Sequence, residues 1–210
     1  MKLGAWRTEY TMTLLGVFTL VLMFVPTSLK STVQANYIAK WKDTYNKINY
    51  MQEVILKQEK SDILTSLKRA KTADEREDII ITLMKPYFRL KDTKVPKKYK
   101  VRYMNKSNIS KDDLYYINEY YFTDNNIIVG LKDTDDENNT DTIFIVTFDI
   151  NGLMPPNMWG KDVFGVRVHS DKVEPIGSEM TIEKQYYDCS TEASGKACSN
   201  FYLIGGDFND

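Results

Sequence analysis

Hydrophobic and polar residues are segregated along this chain before they alternate within it. From Tyr10 to Leu29 twenty consecutive positions carry no charge, and Met12–Val25 is apolar apart from threonines and one glycine. About 20 helical residues at about 1.5 Å each cover a bilayer core of about 30 Å. The run therefore predicts a membrane helix or the apolar core of a secretory signal. Pro26 lacks an N–H, so it either loosens that helix or ends it. Tyr37, Trp41, Tyr45, Ile48, Gln52 and Ile55, five of them apolar or aromatic, then recur at spacings of three and four. That stripe predicts an amphipathic helix packed on a sheet. Thr72 and Glu75 form a capping box, predicting a helix over Ala73–Met84 with Ile79, Ile80 and Leu83 inward and Pro86 ending or kinking it. Period-two patterning takes over in the second half. Leu114–Phe122 and Ile127–Leu131 flank the turn signal Asp124-Asn125-Asn126 and predict a hairpin. Thr142–Phe148 reads as the strongest strand, Val163–His169 as another, with Lys172–Ile176 returning beside it.

Composition narrows the function classes. The 210 residues carry 28 basic and 29 acidic side chains, with a formal net charge of −1. That balance argues against a general nucleic-acid binder. One histidine and two cysteines leave little for a His- or Cys-based zinc site. Only His169 could serve a histidine-dependent triad, and nothing in the sequence supplies its partners. No other constellation of nucleophile, acid and base stands out, so the expectation is a protein that is not an enzyme. Lys91, Lys94, Lys97, Lys98 and Lys100 around Pro96 read as a solvated basic loop, with contact to an anion or lipid headgroup as the alternative.

The N-terminal residues resemble a family. Gly4-Ala5-Trp6-Arg7-Thr8-Glu9 before an apolar run resembles the prepilin start of type IV pilins and type II secretion pseudopilins. There a short basic leader ends in glycine, and a glutamate stands fifth in the mature chain. The resemblance makes Met1–Gly4 the leader, cut between Gly4 and Ala5 by a prepilin peptidase. It gives Glu9 and Pro26 roles in assembly. A cleaved chain has a free amine at Ala5 that the Glu9 carboxylate of a neighbouring copy could pair with, which in an apolar bundle fixes register. Ala5, Trp6 and Arg7 depart from the family's usual residues. The stem 34–55 and the run Asp149-x-Asn151-Gly152…Pro156-Asn157…Gly160-Lys161-Asp162-x-Phe164 resemble a pseudopilin subgroup.

That last run also has chemistry of its own. Asn-Gly and Pro-Pro-Asn mark tight turns, so one reading is a rigid connection bonded to its own backbone. In the other, Asp149, Asn151 and Asp162 supply oxygen ligands to calcium, the one cofactor the residues suggest. Cys189 and Cys198, an even count in a chain read as exported, predict a disulfide.

The resemblance implies an α+β fold, a pilin-like long N-terminal membrane/filament helix packed on a C-terminal antiparallel β-sheet head. The divisions are a leader at 1–4, a transmembrane/filament-core helix at 5–29, its amphipathic continuation at 30–59 and a globular head at 60–210. The implied function is a structural subunit, pseudopilin or minor pilin, of a type IV pilus or type II secretion filament. Its implied location is a bacterial inner membrane, crossed once, with the head outside the cytoplasm and the filament in the periplasm or at the cell surface. Its implied partners are other pilin or pseudopilin subunits, the membrane, the peptidase and an assembly platform, without nucleic acid. The alternative is a tethered or secreted extracytoplasmic binding module unrelated to filaments.

Overall fold

A computed structural model describes residues 3–58, 67, 70, 72–134, 142–169 and 171–208. The side chains of helical residues 3–9, 20–31 and 56–58 lie outside that description. The chain divides into two compact units, Met1–Asn36 and Tyr37–Asp210.

Helix α1 has the bounds Leu3–Gln58. In the first unit the described side chains are those of residues 10–19 and 32–36. Tyr10, Met12, Leu14, Leu15, Val17 and Phe18 are each more than half exposed.

In the second unit, α1 contributes the residues from Tyr37 onward. Trp41, Ile48 and Met51 are buried, with Tyr37, Tyr45 and Ile55 partly buried against the same core. Helix α2, Ala73–Phe88, starts where Thr72 accepts the Glu75 N–H at 3.2 Å. It buries Ile80, Met84 and Phe88. This stripe lies further along than the predicted Ile79, Ile80 and Leu83, because the helix carries on through Pro86 for another half turn. Arg89, at φ 48°, then ends it in a left-handed conformation.

Six strands form one antiparallel sheet in sequence order: β1 Leu90–Lys94, β2 Tyr120–Thr123, β3 Ile128–Asp133, β4 Thr142–Asp149, β5 Val163–His169 and β6 Val173–Pro175. The hairpin β2–β3 pairs Tyr120 with Gly130 and Phe122 with Ile128. The expected strand over Leu114–Phe122 is confined to its end. Tyr115 instead packs edge-on against Trp159, 5.8 Å between ring centroids, from a turn segment. The basic run 91–100 is likewise part strand, since Lys91 and Lys94 belong to β1.

Alternation along β4 divides the core. Phe144, Val146 and Phe148 join the cluster under α1 and α2, with Phe164, Val166 and Val168 of β5. Ile145 faces the other side, with Ile128, Trp159, Val163, Tyr99 and Val101. Trp41 is the junction of stem and sheet. It stacks on Phe164 at 5.1 Å, lies 6.2 Å from Phe148, and donates its indole N–H to the Ser199 carbonyl at 2.8 Å. A fully buried tryptophan whose one polar atom is satisfied is a large apolar contribution without a desolvation penalty. Two short helices, α3 Ile182–Asp188 and α4 Cys198–Phe201, close the chain.

Two expectations need correction. The fold is α+β with an antiparallel sheet, but the pilin-like architecture of a long apolar N-terminal helix packed on a head is not what the structure describes. Among the described residues no helix is long and apolar enough to cross a membrane. A single-pass inner-membrane location is therefore not supported.

Candidate functional site

The connection from β4 to β5 is the most elaborately bonded part of the head. Asp149 ends β4, and Asp162 stands just before β5. Gly152 allows the turn between them: its φ is 74°, and a Cβ there would come within 2.4 Å of the Asn126 carbonyl oxygen. Asn157 also takes a left-handed conformation, which asparagine tolerates better than most residues. The Pro155–Pro156 bond is cis.

Both carboxylates are buried, and the loop folds its own donors onto them. Asp162 accepts the Asn157 N–H at 2.9 Å on Oδ2 and the Met158 N–H at 2.7 Å on Oδ1. Asp149 accepts the Asn151 N–H at 3.1 Å on Oδ1 and the Tyr99 hydroxyl at 2.6 Å on Oδ2. The Asn157 side-chain amide, nitrogen inward, donates to Asp149 Oδ2 at 3.1 Å, the Gly152 carbonyl at 3.3 Å and the Met154 carbonyl at 2.8 Å. Asn151 ties this loop to the stem, its amide donating to the Tyr37 hydroxyl at 3.1 Å.

Burial pushes the Asp149 carboxyl up to about 8, and the neighbouring Asp162 charge adds to the shift. Asp162 is pushed up to about 6 by burial, against the opposing effect of its two backbone donors. Burial and the charge of Asp162 both oppose ionisation of Asp149, so the pair retains one of its two protons into the neutral range.

The structure thus brings Asp149, Asn151 and Asp162 into one network. Calcium would need their oxygens free to face it. Each carboxylate oxygen instead takes an N–H or O–H, and the point where Asp149 Oδ2 meets two carbonyls is filled by the Asn157 amide. Among the described residues no group of three or more His, Cys, Asp or Glu side chains could hold a metal ion. Of the three residues, only Asn151 keeps a buried oxygen, Oδ1, without a hydrogen-bond partner, so the carboxylates serve the loop's own donors.

Cys189 and Cys198 are joined as a disulfide, their Cα atoms 5.2 Å apart. Asp188 beside them organises the enclosed loop, accepting from the Ala197 N–H at 2.7 Å and the Ser194 hydroxyl at 2.7 Å. The loop lies against Gly160, where a Cβ would reach 2.7 Å from Cys198 Sγ. Tyr202 donates to the Gly160 carbonyl at 3.0 Å. Sequence reasoning passed over Asp188 and Tyr202; an aspartate next to a cysteine in a Ser/Gly-rich loop is a weak signal for such a clamp. His169, at the end of β5, lies 3.3 Å from Glu174, and Gln52 of the stem donates to its carbonyl at 3.0 Å.

Gly4, Ala5, Glu9 and Pro26 have side chains outside the described residues; their backbone belongs to α1. No protein-family model, no curated protein and no solved structure matches the chain.

Proposed function

We propose that this chain is a structural subunit of a filament of the type IV pilin or type II secretion pseudopilin kind. The observation that carries the reading is the surface of α1 from Tyr10 to Phe18. Met12 is 80% exposed and Leu15 72%, and Tyr10, Leu14, Val17 and Phe18 are close behind. Successive helical residues turn by about 100°, so these six side chains spread over about 220° of the helix, wider than one stripe, with Thr13 and Gly16 in the remaining arc. A helix apolar over so wide an arc is stable when surrounded, and the packing that serves a repeating subunit is copies of the same helix in a bundle.

The sequence adds the spacing of Gly4, Glu9 and Pro26. On this reading a peptidase of the prepilin kind removes Met1–Gly4, and Glu9 pairs with the Ala5 amine of the next copy. Intact mass and N-terminal sequencing of the mature chain from its native host test this. The expected product begins at Ala5 and carries a methylated amine. A start near Ser31 or Asn36 would sink the reading in favour of ordinary signal cleavage.

A further inference from the structure

Between Asp92 and Asp112 the chain has seven basic residues and no acidic one: Lys94, Lys97, Lys98, Lys100, Arg102, Lys106 and Lys111. All seven are exposed. Lys94 is matched by Glu119 at 2.5 Å. In a protein of near-zero net charge, the six remaining cations over one short segment set up a local field.

The segment is also concave. It walls a cavity of about 690 Å³ between the stretch after β1 and the stretch before β2, lined by Lys97, Lys100, Lys111, Tyr116 and Asn118 among others, with Glu119 the one carboxylate in the wall and paired there with Lys94. A second cavity of about 550 Å³ shares Pro96, Tyr99, Lys100 and Asn108 with the first and continues to Arg102 and Leu153. The cations are thus strung along a two-part groove instead of converging on one point, which suits a linear polyanion better than a single phosphate.

The lining identifies the kind of polymer. Nucleic acid held in single-stranded form stacks its bases on open aromatic faces and arginine planes. Here Tyr99 is only 9% exposed. Its ring packs edge-on to Tyr120 at 4.9 Å, and its hydroxyl is engaged by Asp149. Six of the seven cations are lysines, which act as point charges and do not make the planar fork of arginine. What the groove does offer is asparagine amides, tyrosine and proline edges, and lysines at intervals. Sugar hydroxyls match the amides, sugar C–H faces match the rings, and carboxylates match the lysines.

We infer that this groove binds an acidic polysaccharide, a chain of carboxylated sugar units laid along Lys97, Lys100, Arg102 and Lys111. The inference is independent of how the chain assembles.

Calorimetric titration of the full-length chain with alginate oligomers, polyphosphate and a single-stranded oligonucleotide of matched charge tests it. Alginate is expected to bind, and to bind more tightly than either other polymer. Replacing Lys97→Gln, Lys100→Gln, Arg102→Gln and Lys111→Gln together is expected to weaken binding at least about tenfold and to flatten its salt dependence. Tyr116→Ala is expected to weaken alginate binding with the salt dependence retained, which a surface acting by charge alone would not show. The pair Lys40→Gln and Lys184→Gln, exposed lysines elsewhere, is expected to change nothing. Absence of alginate binding overturns the inference. So does polyphosphate or the oligonucleotide binding as tightly, or the fourfold variant binding like the unaltered chain.

Discussion

The aspartate pair shows how much one buried residue can set. Asp149 is held neutral by burial over a range where an exposed aspartate is charged. Its carboxyl is raised in the folded chain and near 3.9, about the ordinary value, in the unfolded one. Its contribution is therefore fully present below about pH 4 and is lost as pH rises through the folded value of about 8. Asp162 acts in the same direction over a shorter window, ending at about 6. Thermal melts from pH 5 to pH 8 should show stability falling with pH. In Asp149→Asn, which cannot ionise, that fall should be markedly shallower; an unchanged slope would show that the pair does not retain a proton. The same melts should coincide with calcium and with chelator, because a bound ion would have to stabilise the fold. A clear rise with calcium would mean that the ion displaces the Asn157 amide.

At the scale of elements, legibility followed periodicity. Strand β5 spans Val163–His169 as its pattern indicates, since every inward position meets a core that nothing else can fill. The stem stripe was legible for the same reason: Trp41, Ile48 and Gln52 are all buried. Leu114–Ile117 misled because its tyrosines have strand propensity, yet Tyr115 is spent on Trp159, a contact over a sequence separation that no local pattern encodes. In the β4–β5 connection, Asp149, Asn151 and Asp162 could be singled out by their spacing. What could not be read was that Tyr99, from fifty residues upstream, and Asn157 would supply the donors that close it. The groove was half legible: its lysines are a run in the sequence, but its concavity depends on the segment before β2 folding over them. The element contact with the largest predicted effect is Trp41 against Phe164 and Phe148. Trp41→Ala should cost about 3–5 kcal/mol in urea unfolding, as large-to-small changes in packed cores do. A loss under about 1 kcal/mol would mean the stem is not part of the head's core.

For the whole molecule, the division at Asn36 organises the rest. Among the described residues one unit carries exposed apolar side chains along a helix; the other has its own core, a disulfide and a basic groove. The central claim is assembly, and Glu9 is the residue on which it turns. The most direct measurement is recovery of sedimentable filaments, imaged by electron microscopy, from cells making the full-length chain or its Glu9→Ala variant at equal levels. The account predicts filaments containing the unaltered chain and none containing the variant. Filaments formed equally by both, or an unaltered chain found only as single copies, would contradict it.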